Sequence, residues 1–430
     1  MTALAATRRT RSSRRPLRWL LVAEAVSLTG TRVSFVAVPW LVLETTGSAA
    51  RMGIVAFGEM LPYVAACALG GPVADQRGPR RVSIVCDVAS AAIVALVPLL
   101  ATTGHLPFGA LVALMVVAGA GRGLGDTAKR PLLPSAVEAS GADLTRAAAQ
   151  RDGVFRLADL LGGPLGGLLV AWLGAAQVLL VDAASFGGAA LVIGLGVRLS
   201  EPRAAGAEAY GVALRTGIRF LRGDALIGAL MLMVLATNLF DQAYAAVLLP
   251  VWAHDRVGSA AALGLVVGAF GAGAVLGNLA FTAMAPRLPR FWAFTLSFLL
   301  GGAPRILVMA VSSSVTVVAA VGFTTGLATA AVNPILAAVG YERIPRHLQA
   351  RVLGMIRAVS WAGIPVGGLV GGLAVDGLGL TSALLVVGSL YLVVTLVPLA
   401  VPVWRELDVV APTEDPRGPT PQAPTHHYAH

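Results

Sequence analysis

The chain has 430 residues, 57% of them hydrophobic and only 13% charged, with a mean hydropathy of +0.79. A water-soluble domain carries about a quarter charged residues, so this chain cannot cover itself with polar surface, and its main solvent is lipid. The net charge of +10 does not mark a nucleic-acid binder: the arginines gather at the ends of apolar segments, as membrane orientation requires, and the aromatic interleaving of single-strand binders is missing.

The N-terminus is basic through Arg8, Arg9, Arg11, Arg14, Arg15 and Arg18. The apolar run behind it is too long for a signal-peptide core and contains Glu24 and Arg32, so it reads as a retained first span. A span needs about 20 predominantly apolar residues. Twelve such runs follow one another: 17–43, 53–74, 82–102, 107–128, 153–173, 177–197, 225–252, 263–285, 291–311, 315–339, 352–375 and 382–403. The expected fold class is therefore an all-α integral membrane protein of twelve transmembrane helices. Residues 1–16 form a basic tail, 17–198 a first bundle and 225–403 a second. Between the bundles, 199–224 reads as a linker with a short amphipathic helix, which sets Val212, Ile218 and Leu221 against Arg215, Arg219 and Arg222. Residues 404–430 are rich in Pro, Thr and Gln and read as disordered. His426, His427 and His430 belong to that solvated tail, and no metal site is expected. Cys67 and Cys86 lie in apolar segments and read as small core residues.

The basic residues alternate between the turns. The turns after spans two, four, six, eight and ten carry, among others, Arg77, Arg80 and Arg81; Lys129 and Arg130; Arg198 and Arg203; Arg287 and Arg290; and Arg343 and Arg346. The other turns hold only Arg51 and Arg256. This pattern predicts that the basic turns and both termini face the cytoplasm. The halves also repeat. Arg156 precedes Pro164-Leu165-Gly166-Gly167, and Arg357 precedes Pro365-Val366-Gly367-Gly368 at the same spacing. Arg77-Gly78-Pro79-Arg80 has a counterpart in Arg287-Leu288-Pro289-Arg290, and Pro39-Trp40 in Pro250-Val251-Trp252. Two parallel six-helix repeats are a standard plan of secondary transporters, with the substrate site near the midplane between them.

On these residues the chain resembles the major facilitator superfamily, from Arg18 to Arg405. The stretch Gly71-Pro72-Val73-Ala74-Asp75-Gln76-Arg77-Gly78-Pro79-Arg80-Arg81 is similar to that family's signature between spans two and three. It matches at Gly71, Ala74, Asp75, Gly78 and Arg80 and departs at Gln76 and Pro79. The resemblance implies two pseudo-symmetric six-helix bundles. It also implies a cytoplasmic latch that closes in the outward-open state, built from Asp75 with Arg80 or Arg81. Arg122, Asp126 and Arg130, near the inner end of span four at helix-face spacing, are assigned to the same latch. Pro131-Leu132-Leu133-Pro134, Val181-Asp182-Ala183-Ala184-Ser185-Phe186 and Asn333-Pro334 look like bacterial drug, macrolide and siderophore exporters. Gly163-Pro164-Leu165-Gly166-Gly167 is one residue shorter than the exporter motif of span five.

A charge inside a span costs several kcal/mol unless paired or hydrated, so each is a candidate. Glu24 and Arg32 share a face of span one. Asp241 holds the matching place on span seven, beside Asn238 and Gln242. Arg32 and Asp241 are expected to face one cavity and to pair across it, with Glu59 as the rival partner; a structural ion pair between two helices is an equal alternative. Proton coupling needs a carboxyl that desolvation and an approaching arginine can tune, and Glu24, Glu59 and Asp241 fit, Glu59 and Asp241 first. Asp152, Arg156 and Asp159 read as self-paired on span five, and Asp182 and Arg305 as packing residues on peripheral spans. Gly163, Gly166, Gly167, Gly367 and Gly368 are expected to let helices approach closely, and Pro164 and Pro365 to bend theirs.

No phosphate-binding Gly-x-x-x-x-Gly-Lys-Ser/Thr loop is present, so no cofactor is expected and a gradient must supply the energy. The reading is a monomeric transporter in a bacterial-type cytoplasmic membrane that exports a drug-like compound or secondary metabolite against protons. Uptake or facilitated diffusion of a sugar, peptide or other metabolite is the alternative. A non-transporting sensor or an intramembrane enzyme is the alternative of another class, and no catalytic set of residues supports an enzyme.

Overall fold

Lipid offers a backbone no hydrogen-bond partners, so an apolar stretch of this length closes its own bonds as a helix. The computed structural model describes residues 15–197, 219, 221–345 and 348–409. Twelve helices among them are long and apolar enough to cross a membrane. They are Arg15–Thr46, Ala49–Leu69, Pro79–Thr102, Phe108–Ser140, Leu144–Leu173 and Ala175–Gly196 in the first bundle. Ala225–Val257, Ala260–Met284, Arg290–Val311, Val315–Arg343, Val352–Leu378 and Leu380–Ala400 make the second. Nearly all of the expected linker helix, the N-terminal tail before Arg15 and the histidine tail lie outside the described residues.

The boundaries move where capping decides them. Span five begins at Leu144 and not near Gly153, because the Asp143 side chain accepts from the Arg146 amide at 2.7 Å and satisfies an otherwise orphaned donor. Span two stops at Leu69. The signature residues behind it form a separate short helix, Gly71–Arg77, and Gly78, at φ +86°, turns the chain into span three. The disorder expected from residue 404 does not begin there. Pro402–Asp408 forms a 3-10 helix whose Trp404 is buried against Phe294, ring centroids 5.8 Å apart, and Asp408 accepts from the Phe291 amide at 3.0 Å. An aromatic side chain with a packing surface overrides the polar composition of the segment.

The internal repeat extends to the turns. Gly47 before Ser48 and Gly258 before Ser259 have left-handed backbones, and each serine caps the following span. Gly174 and Gly379, also at positive φ, join spans five to six and eleven to twelve. The halves differ in their interruptions. Span seven contains two π-helical segments, Tyr244–Leu248 and Ala253–Val257. Span nine breaks at Gly302, where a Cβ would strike the Tyr391 ring. Span eleven breaks at Ala362, where the Pro365 ring excludes the carbonyl four residues back. Span five, in contrast, continues as one helix through Pro164, whose ring packs on Gly268.

One large apolar core joins both bundles. Val36, Leu43, Met52 and Phe186 contribute from the first, and Leu248, Trp252, Leu263 and Leu384 from the second. All lie in the half away from the basic turns. At the basic end the bundles keep separate cores, around Leu20, Ala136 and Ile193 in one and Leu226, Phe294 and Trp404 in the other. The molecule is thus sealed at the far end and divided at the basic end.

A buried ion pair braces the first bundle: Lys129 Nζ donates to Asp87 at 2.8 Å, and both side chains are buried. Removing one partner strands the other charge, at a cost of about 3–5 kcal/mol. Lys129→Met should therefore lower the thermal unfolding temperature in detergent strongly, and adding Asp87→Asn should recover part of that loss.

Candidate functional site

Two adjoining cavities lie between the bundles, about 320 and 290 Å³, and share Arg32, Phe35 and Ala245. Spans one, five, seven, eight and nine line the larger one, with Asp159, Tyr244, Phe270 and Arg305 among its residues. Spans one, two and seven line the smaller, which ends on Glu59 and Gln242. Aliphatic and aromatic side chains dominate both linings, with charge confined to a few points.

Those charges are paired, though not as expected. Arg32 does not reach Asp241 or Glu59; it forms an ion pair with Asp159 of span five and lies over the Phe35 ring at 5.1 Å. Asp241 pairs instead with Arg305, whose guanidinium stacks on Tyr244 at 4.5 Å and Phe270 at 5.0 Å. The two pairs sit in different bundles, and each cation takes a carboxylate from a neighbouring helix of its own bundle. Arg305 is thus a cavity residue and not a peripheral packing residue. It lies three residues after the break in span nine. Arg156 does pair with Asp152, at 2.7 Å, as the spacing predicts.

Glu59 pairs with Arg122 at 2.7 Å, and Arg122 lies between the Phe35 and Tyr63 rings at 5.5 and 4.9 Å. Arg122 therefore stands apart from the expected latch. Glu24, only 3% exposed, is held by Arg151 at 2.7 Å and does not line either cavity. Asn238 donates to the Ser360 carbonyl at 2.9 Å and ties span seven to span eleven.

The remaining latch residues are not brought together. Asp75, Arg81 and Arg130 are exposed, Arg80 donates to the Gly194 carbonyl of span six at 2.5 Å, and Asp126 accepts from the Tyr63 hydroxyl at 3.2 Å. Gly71 has open space around it, so packing does not explain that glycine.

The far end is closed by backbone. Span two meets span eleven where a Cβ on Gly53 would strike the Gly368 carbonyl and one on Gly372 the Ala49 carbonyl. Span five meets span eight where Gly167 faces Ala260 and Gly264, and Gly163 faces Val267. Gly166 and Gly367 serve the interior of each bundle, against Val33 of span one and Leu239 of span seven. Gly53 and Gly264 hold corresponding places in the repeat, as do Gly368 and Gly167, so the two contacts are the same contact made twice. At the rim, Asp376 accepts from Ser48 Oγ at 2.8 Å and the Ala49 amide at 3.0 Å. Among the described residues these are the hydrogen bonds that cross between the bundles, and every ion pair stays within one. The sequence reading missed Asp376 and Asp87. Asp87 was visible as an isolated acid in span three, whereas the partner of Asp376 lies more than 300 residues away in sequence.

The sequence profile of the transmembrane secretion effectors matches residues 11–422. The multidrug efflux pump Tap of Mycobacterium tuberculosis is 31% identical over 416 residues, covering 94% of this chain and 97% of the relative. The pump of the same name from Mycolicibacterium fortuitum is 31% identical over 412 residues, covering 94% and 99%. Among solved structures, the nucleoside transporter NupG superposes with a TM-score of 0.76 at 13% identity, covering 89% of this chain and 98% of that one. A bacterial homologue of the human lysosomal transporter Spinster, inward-facing and unoccupied, gives 0.70 at 14%, covering 92% and 96%. These likenesses establish the fold: twelve helices in two six-helix bundles.

The glycine seam makes a sharp demand. Gly264→Leu places a side chain against the span-five backbone and should prop the far end open. Cysteines introduced along the far half of the cavity should then react faster with a membrane-impermeant thiol reagent than in the parent protein. Equal labelling rates would show that the seam tolerates bulk.

Proposed function

The chain belongs to the transmembrane secretion effectors of the major facilitator superfamily, and from that premise we propose that it exports amphipathic, drug-like molecules across the cytoplasmic membrane in exchange for protons. The observation that carries this reading is the paired cavity. Its volume lies in the range of drug-sized sites, which run from about 300 to 1,000 Å³, and its aromatic faces at Phe35, Tyr244 and Phe270 offer surface without demanding one hydrogen-bond pattern. A site of that kind accepts many apolar cargoes by burial alone. The identity to multidrug efflux pumps over nearly the whole chain supports the same direction of transport.

The basic turns set the divided end in the cytoplasm, with both termini on that side. The described state is then inward-facing, able to take cargo from the cytoplasm or the inner leaflet. Export follows when the basic ends close and the glycine seam parts. Asp75, Arg80 and Arg81 belong to that second state, where they latch the cytoplasmic ends. Glu59 is the coupling acid of this scheme. It faces the cavity, so a proton or a cargo can reach it, and Arg122 neutralises it when the proton has left. Cargo and proton therefore meet at one wall of the site, and neither is needed on the other side at the same moment.

A host stripped of its own pumps and expressing this chain should gain resistance to a panel of amphipathic antibiotics and dyes, and a protonophore should abolish the gain. Lack of resistance together with lack of substrate-dependent proton flux in vesicles would refute export. Glu59→Gln should keep cargo binding, measured by dye fluorescence, while accumulation against a gradient falls by roughly a hundredfold, the scale of a lost positioned proton carrier.

A further inference from the structure

Behind the central cavity, inside the first bundle, lies a small chamber of about 20 Å³, enough for about one water. Its polar wall consists of Ser34 of span one, Glu59 of span two, Ser90 of span three, Arg122 of span four and Asp182 of span six. Glu59 lines both this chamber and the central cavity, and so connects them. Ser90 is 1% exposed, and its hydroxyl has no hydrogen-bond partner among the described residues. A buried hydroxyl without a partner costs about 1–3 kcal/mol, and a water in the chamber removes that cost.

Asp182 is 3% exposed. It accepts from Ser34 Oγ at 2.6 Å and from Ser185 Oγ at 3.3 Å; among the described residues it forms no ion pair, although Arg122 shares the chamber with it. Gly30 allows this close approach, since a Cβ there would press on Asp182 and Ser185. Several charges on the helices packed around it are engaged elsewhere. Glu24 and Arg32 of span one pair with Arg151 and Asp159, Asp87 of span three with Lys129, and Arg122 of span four with Glu59. An unpaired carboxylate at this depth is expensive, and a protonated carboxyl is not.

We infer that Asp182 is a proton store, exchanging with Glu59 through one water held by Ser90. A proton leaves Glu59 Oε for the water oxygen as the water gives one of its own protons to Asp182 Oδ. Glu59 becomes a carboxylate beside Arg122, Asp182 becomes neutral, and the water is regenerated. The proton is then out of the cargo's way while the cavity is occupied. The inference rests on the proton-coupled reading above.

Proteoliposomes loaded with a fluorescent dye cargo test it through the pH profile of gradient-driven transport. Asp182→Asn should flatten that profile and cut uptake against the gradient by roughly a hundredfold, while the dye concentration for half-maximal rate stays the same. Asp182→Glu should restore both. Ser90→Val fills the chamber without touching a charge and should flatten the profile too, which decides the matter if Asp182→Asn fails to reach the membrane. A wild-type profile in Asp182→Asn, or in Ser90→Val when the first cannot be made, overturns the store while leaving proton-coupled export in place. A wild-type protein that transports the dye with no pH dependence overturns both.

Discussion

The bundles are held together by glycine backbone, and the arrangement of the rest depends on that. In lipid, helices gain nothing from hiding apolar side chains from water, so association rests on close van der Waals contact and on the few polar groups that can cross. Here small residues bring span two against span eleven and span five against span eight, with Asp376 as the crossing polar group. Beside these backbone contacts the bundles share one apolar core, with the Trp40 and His254 rings 5.3 Å apart across it, so parting the far end also requires that core to repack.

The charges obey a matching rule. Arg32, Arg122 and Arg305 each find a carboxylate within their own bundle, so a bundle can rotate without breaking these ion pairs. A salt bridge across the cavity would have had to separate two desolvated charges in every cycle, at a cost of several kcal/mol. The pairing of Arg32 with Asp159 and of Arg305 with Asp241 avoids that, and still leaves two neutralised but polarisable points on facing walls. Asp182 differs, because among the described residues it is held by hydroxyl donors and forms no ion pair.

Much of the fold was legible in the chain. Twelve apolar runs, alternating basic turns and a repeated Pro-x-Gly-Gly element suffice for two six-helix bundles. The site was legible only as a set of residues. Arg32, Glu59, Asp241 and Gln242 could be named because charge and amide groups stand out in apolar helices, but their partners could not. Which helix faces which is settled by small residues, and Gly53 gives no sign in the sequence that it meets Gly368. Arg305 was misplaced for a related reason: its partners Asp241, Tyr244 and Phe270 lie on spans seven and eight, far from it in sequence. The latch was expected from a family signature alone, and in this structure Asp75 and Arg81 are exposed while Arg80 donates to the Gly194 carbonyl.

The interruptions are unevenly shared between the halves. Span one is a single helix of 32 residues, while its counterpart, span seven, carries two π-helical segments, and spans nine and eleven are each broken at membrane depth. A duplicated architecture has thus kept its plan and not its helix geometry, so the two walls of the cavity differ in backbone as well as in side chains: span one passes the cavity as a regular helix, and span seven passes it through the π-helical segment at Tyr244.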